Sequence, residues 1–143
     1  MKSGILLLRK PAGFTSFDCV AKLRKILKTK KIGHAGTLDP FATGLLVLGV
    51  NRATRFLQFF ETQKKVYRAE IIFGKFSKTH DCDGEICEKN LRKFDREKLE
   101  KILAENFNGE ILQTPPQFSA KKIGGKKAYE FARAGKRVIL KPQ

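Results

Sequence analysis

A chain of 143 residues, 41% of them hydrophobic and 12 of them Phe, can build a core. Its length predicts one domain that buries roughly 70% of its unfolded surface. Thirty Lys and Arg against 14 Asp and Glu give a net charge of +16, an excess that points first to nucleic acid. No apolar run approaches the roughly 20 residues that span a bilayer, and Met1-Lys2-Ser3-Gly4 leads into only four strong apolar residues, too few for a secretory leader. Three cysteines, an odd number, fit a reducing compartment, so a cytoplasmic protein away from membranes is expected.

In chain order, Gly4–Leu8 reads as a short buried strand, closed by the loop Arg9-Lys10-Pro11-Ala12-Gly13. Thr15 starts a helix, with Asp18 as a capping-box acid three residues on. Val20, Leu23, Ile26 and Leu27 give its buried stripe. The other face carries Lys22, Arg24, Lys25 and Lys28 and runs on into Lys30 and Lys31, with no acid between Asp18 and Asp39. A face this one-sided predicts contact with phosphates.

Gly33–Gly44 holds three glycines, one proline and two threonines around a lone acid, Asp39. That composition excludes a regular helix or strand across it. Leu-Asp-Pro is a common turn sequence, but a single carboxylate displayed beside basic surface also suits a site. Leu45–Val50 reads as a second buried strand, after which Asn51-Arg52 turns the chain into a short helix, Ala53–Phe60. Val66–Phe73 alternates as a strand, with Tyr67, Ala69, Ile71 and Phe73 on one face and Arg68 and Glu70 on the other.

Gly74 to Gly84 is polar and loop-like. Asp95 caps a helix whose stripe is Leu99, Ile102, Leu103 and Phe107, ended by Gly109. Glu110–Gln113 reads as a short strand, Ala128–Ala134 as a helix closed by Gly135, and Val138-Ile139-Leu140 as the start of another strand. Strands and helices mix without strict βαβ alternation, so an α+β sheet with helices packed on it is expected. The last strand calls for a partner, which suggests one half of a larger unit.

Many catalytic signatures are absent. There is no Gly-x-Ser-x-Gly. Ala120–Lys127 departs from a Walker A loop at Ala120 and at Lys127, and reads as a flexible basic loop touching a nucleic-acid backbone. His80-Asp81-Cys82 with Cys87 lacks the second half of a zinc site. Asp81-x-Asp83-Gly84-Glu85 has its glycine at the wrong place for a calcium loop. With only His34 and His80 as imidazoles, the lone carboxylate of Asp39 is the candidate nucleophile. Loop amides and the hydroxyls of Thr37 or Thr43 are expected to hold it.

Gly33–Gly44, preceded by Lys10-Pro11-x-Gly13-x-Thr15-Ser16 and followed by Lys65-x-Tyr67-Arg68, resembles the TruB family of tRNA pseudouridine synthases. Pro115-Pro116-x-Phe118-Ser119-Ala120-Lys121-Lys122 and Tyr129-x-x-Ala132-Arg133-x-Gly135 resemble that family's later motif. The resemblance implies a pseudouridine synthase fold, a mixed and largely antiparallel sheet, incomplete in this chain. It implies isomerisation of one uridine in the T loop of tRNA, position 55, without cofactor or metal.

By the same resemblance, Asp39 falls on the catalytic aspartate, which attacks either C6 of the base or C1′ of the ribose. Tyr67 falls on the tyrosine that packs against the target base; a core position on its strand is the plainer alternative. His34 falls on the histidine that fills the space left by the flipped base; a ring satisfying its own loop is the alternative. Lys10 with Pro11 resembles a support for the catalytic loop. Thr37, Lys65 and Arg68 complete the expected substrate-binding set with Lys10.

The chain departs from the family in lacking a Lys-Gly-Thr-Tyr-Ile-Arg-like motif, whose arginine pairs with the aspartate, and in lacking a PUA domain. Residues 1–143 are therefore expected to be the N-terminal portion of the catalytic domain, inactive or weak alone and completed by the C-terminal half. Two other readings stand beside it: a tRNA-binding module without chemistry, and a dyskerin-like enzyme directed by guide RNA. A start directly at the catalytic domain favours a stand-alone enzyme of bacterial style.

Overall fold

Alternation along Gly4–Lys10 makes the first strand, β1, with Leu6, Leu8 and Lys10 turned to one side and Ile5, Leu7 and Arg9 to the other. The computed structural model describes residues 2–89, 95–119 and 121–142. It is α+β, and every strand pairing among the described residues is antiparallel. In place of one sheet there are three small ones, of three, two and two strands. The chain divides into two compact units, Met1–Ala69 and Glu70–Gln143, where its length predicted one domain.

In the first unit, β1 is followed by helix α1 (Ser16–Ile26), β2 (Ile32–His34) and β3 (Gly44–Val50). The sheet order is β1-β3-β2. β3 pairs with β1 from Gly4↔Val50 to Lys10↔Gly44, and with β2 from Ile32↔Val50 to His34↔Leu48. Paired residues share a face, so Leu6, Leu8, Leu46, Leu48, Ile32 and His34 lie on one side. α1 covers that side with Cys19, Val20 and Leu23.

Thr15 caps α1 as expected. Its hydroxyl accepts from the Asp18 amide, while its own amide and hydroxyl donate to the Asp18 carboxylate. These bonds hold the Asp18 carboxyl below the usual carboxylate range. The predicted stripe is too long, however. The core gathers around Cys19, Val20 and Leu23, and Ile26 and Leu27 are exposed.

The opposite face of the sheet is notched by Gly33 paired with Gly49. A tight turn of 3-10 helix, Asn51–Phe56, sits in the notch: a Cβ on Gly49 would lie 2.9 Å from the Ala53 carbonyl oxygen. Asn51 enters that turn with φ near 56°, a conformation asparagine tolerates. Its side chain accepts from the Thr29 hydroxyl and donates to the Lys2 carbonyl. A single helix over Ala53–Phe60 was expected; the 3-10 turn instead gives way to a short α2 (Gln58–Glu61).

In the second unit, β4 (Lys75–Ser77) and β5 (Ile86–Glu88) form a hairpin, β4 lying inside the Gly74–Gly84 stretch expected to be loop. Its turn is folded by Asp81, which accepts from Thr79 and, through its carbonyl, from Ser77. Polar turn chemistry, not apolar alternation, makes these strands. Helix α3 (Arg96–Asn106) is capped by Asp95, which accepts from the Lys98 amide, and Gly109 follows with φ near 79°. Its stripe residues Ile102, Leu103 and Phe107 are exposed.

The basic segment expected to be a flexible loop is a second hairpin, β6 (Lys122–Ile123) with β7 (Lys126–Lys127), running into helix α4 (Ala128–Arg133). Gly124 and Gly125, both with positive φ, make its turn. Ala120, also part of that reading, lies outside the described residues.

Three expected strands do not form. Glu110–Gln113 is irregular. Val138–Leu140 is irregular because the Gln117 side chain takes both backbone groups of Val138, at 2.8 and 3.1 Å, in place of a neighbouring strand. Val66–Phe73 is in no ladder among the described residues: an alternating sequence becomes a strand only when another strand pairs with it.

Candidate active site

Between β2 and β3 the chain makes a loop, residues 35–43, that is bonded at every second carbonyl. His34 Nδ1 lies 2.7 Å from the Gly36 carbonyl oxygen, to which it donates. The Ser16 hydroxyl donates to the Leu38 carbonyl at 3.2 Å and accepts from the Leu38 amide at 2.9 Å. The Pro40 carbonyl accepts from Lys10 Nζ at 3.1 Å and from the Gly13 amide at 2.8 Å. A turn closes the loop, with the Ala42 amide donating to the Asp39 carbonyl. Thr37, Asp39 and Phe41 alternate with the anchored positions and are exposed.

The anchors are themselves fixed. Lys10 is 0% exposed, and its Nζ donates to three carbonyls, of Pro11, Phe14 and Pro40. Three acceptors match the three N–H bonds of an ammonium, which is what makes its burial tolerable. Ser16 is 2% exposed and opens α1, whose Cys19 and Val20 are core. The base of the loop is thus built from a strand end and a helix start.

Each residue expected at the site has a definite place. Asp39 is exposed, and among the described residues its carboxylate has no hydrogen bond or ion pair. Thr37 and Thr43 do not hold it, contrary to expectation: both are exposed, and the loop is held through its backbone instead. Lys10 supports the loop but is not placed to bind substrate, since its three donors are used internally. His34 satisfies the loop carbonyl of Gly36 through Nδ1, leaving Nε2 as the free nitrogen of the ring.

Lys65 lies by the loop, its Cε 3.9 Å from where a Gly36 Cβ would stand, and its Nζ donates to the Glu61 and Gln63 carbonyls. It caps the end of α2 with two of its three N–H bonds and stays exposed. Tyr67 is 71% exposed, so it is not the core residue that its alternation allowed. Arg68 is exposed beside it. Among the described residues neither is bonded to the Asp39 loop.

Ser16 was not among the expected site residues. Its signal was visible: Thr15 already caps the helix, so the hydroxyl of Ser16 was free for another partner. On the predicted phosphate-facing side of α1, Arg24 is partly committed elsewhere. It donates to the Ile32 carbonyl at 3.0 Å and stacks on Phe17, its guanidinium carbon 5.5 Å from the ring centre.

Residues 24–143 match the family described as TruB family pseudouridylate synthase (N terminal domain). The chain belongs to the TruB family. This TruB chain is 52% identical to tRNA pseudouridine synthase B of Aquifex aeolicus over 139 residues, 97% of this chain and 48% of that protein. A match of that extent takes in the Lys10–Ser16 segment that anchors the loop. Against tRNA pseudouridine synthase B of Bacillus cereus it is 53% identical over 137 residues, 94% of this chain and 44% of that one.

The chain therefore spans a little under half the length of these relatives. Among solved structures, a chain in the crystal structure of a Cbf5-Nop10-Gar1 complex is similar. Its TM-score is 0.56 and its identity 30%, over 83% of this chain and 31% of that one. Among the described residues no helix is long and apolar enough to cross a membrane.

Proposed function

We propose that this chain is the N-terminal portion of the catalytic domain of a tRNA pseudouridine synthase, acting on uridine 55 of the T loop with Asp39 as nucleophile. The observation that carries this reading is the loop itself: its backbone is bonded on both sides of Asp39, and the carboxylate is displayed and unshared. A nucleophile must be positioned and accessible, and this geometry supplies both.

The reaction starts with extrusion of the uridine, at a cost of a few kcal/mol that phosphate contacts with Lys22, Lys25 and Lys28 offset through counterion release. Asp39 attacks C6 of the base or C1′ of the ribose. The bond from C1′ to N1 breaks, the base turns, and C5 bonds to C1′. The C5 proton then leaves to solvent and N1 gains one, so product and substrate are isomers and Asp39 is regenerated. Tyr67 packs against the turned base, and Arg68 contacts its phosphate. His34 fills the gap left in the stack, with Nε2 free to face the RNA. No cofactor is required.

The bare Asp39 carboxylate supports the further reading that a cation from the C-terminal half of the enzyme pairs with it. Without that cation the carboxylate has no partner to orient it, so the chain alone is inactive or weak. The test is tritium release from tRNA labelled at uridine C5. The chain is assayed alone and with the part of the Aquifex aeolicus synthase that lies beyond the match. Release with the added part, and none from Asp39→Asn, is the expected result. Release that survives Asp39→Asn removes Asp39 as nucleophile; tRNA binding with no release in any combination favours a binding module.

A further inference from the structure

Ser16 makes both of its loop bonds to one residue, Leu38, and makes them with one oxygen. The helix does not need that oxygen, because Thr15 and Asp18 complete the cap between themselves. The Leu38 carbonyl belongs to the same rigid peptide plane as the Asp39 nitrogen and Cα. Fixing that oxygen therefore fixes one side of Asp39. On the other side, the Pro40 ring restricts the Asp39 backbone to extended conformations, and the Pro40 carbonyl is held by Lys10 and Gly13. Only the side-chain torsions of Asp39 remain free.

We propose that Ser16 is a positioning residue for Asp39: its hydroxyl ties the peptide plane before the nucleophile to helix α1 and so sets the direction of the Cα–Cβ bond that carries the carboxylate. This rests on the reading of Asp39 as nucleophile. Lys10 holds the far side of the loop from a strand end, while Ser16 holds the near side from a helix that is locked to the core through Cys19 and Val20. Groups carried on rigid elements hold a reacting atom more closely than loops do. A misplacement of about 1 Å reduces turnover about 100-fold, and an error of that kind is expected when Leu38 is released.

The experiment compares Ser16→Ala and Ser16→Cys with the unmodified chain in the complemented tritium-release assay. Hydrogen exchange of the Leu38 amide is followed in parallel. Cysteine fills the same space with a poor hydrogen-bonding group, so it separates filling from bonding and serves if the alanine variant does not fold. The expected result for both is lost protection at Leu38 and kcat lower by about 100-fold, with KM for tRNA unchanged. A fall in kcat at constant KM marks an interaction made in the transition state and not in binding.

The proposal is overturned if Leu38 loses its protection while kcat stays at the unmodified value. It is also overturned if Ser16→Cys turns over normally, or if kcat falls only in step with tRNA affinity. Absence of release from the unmodified, complemented protein defeats the reading of Asp39 itself, whereas release that Ser16 variants leave intact defeats only this role.

Discussion

Lys10 and Pro40 stand 30 positions apart in sequence, and Lys10 Nζ donates to the Pro40 carbonyl across 3.1 Å. The same nitrogen also bonds Pro11 and Phe14, so one buried side chain ties the segment between β1 and α1 to the loop that carries Asp39. Lys10→Met keeps the stem and removes all three bonds. Losing hydrogen bonds from a charged donor costs about 1.5–3 kcal/mol, although the Pro40 carbonyl keeps its bond from the Gly13 amide. Urea unfolding should therefore show a lower midpoint with an unchanged slope; an unmoved midpoint would falsify the anchoring role.

The cap of α1 makes stability depend on acid. Asp18 is held below the usual carboxylate range by the Thr15 hydroxyl and amide. An unfolded aspartate titrates near about 3.9. The cap's contribution is fully present above that pH and is lost as pH falls through the lower folded value. Thermal melts recorded between pH 6 and pH 2 should show Asp18→Asn losing less on acidification than the unmodified chain. Parallel losses in the two proteins would place the acid sensitivity elsewhere.

Lys25 on α1 and Lys28 just beyond its end are exposed, whereas Arg24 is spent partly on Ile32 and Phe17. Replacing both lysines by Gln should reduce the dependence of log affinity for tRNA on log salt by about 1.5, from roughly 0.7–0.9 per phosphate contact. Arg24→Ala should instead lower thermal stability, through the lost bond to Ile32. A slope left unchanged by the double lysine variant removes that face from the RNA footprint.

Gly49 faces the turn that follows its own strand, and a Cβ there would meet the Ala53 oxygen and the Thr54 Cα, each at 2.9 Å. These are backbone atoms and cannot rotate away. Gly49→Ala should cost about 1–3 kcal/mol, the usual penalty of overpacking, measurable as a lowered melting temperature. Gly4→Ala, where nothing lies within 4 Å, provides the control and should melt near the unmodified temperature.

Tyr67 is exposed and bonded to nothing among the described residues. Tyr67→Ala should change stability by less than about 0.5 kcal/mol while reducing tritium release in the complemented assay. A large loss of stability would return Tyr67 to a core role.

The first unit was legible because its signals are local. The apolar runs Gly4–Leu8 and Leu45–Val50, the cap at Thr15 and the turn residue Asn51 each act within a few neighbours, although β1 runs on through Lys10 and β2 takes Gly33 and His34 from a stretch read as irregular. Val66–Phe73 misled because alternation reports which side chains could share a face, not whether a partner strand lies among the described residues. Val138 misled differently, since its backbone is satisfied by a side chain, Gln117, that no periodicity marks. At the site, the role proposed for Asp39 comes from motif order. Its support was legible only in part: the resemblance pointed to Lys10, but the bonds of Lys10 and Ser16 to the loop cross 30 and 22 positions of sequence, and no periodicity marks them.

Because Gly36, Leu38 and Pro40 are already bonded, the loop loses its conformational freedom when the protein folds and not when RNA arrives. Ordering a loop on binding weakens affinity in proportion to the residues immobilised. Here that penalty is absorbed into the stability of the folded chain. Under the proposed function, the attraction between the basic surface and the phosphates is left to act on the RNA, where the work of unstacking a nucleotide has to be done.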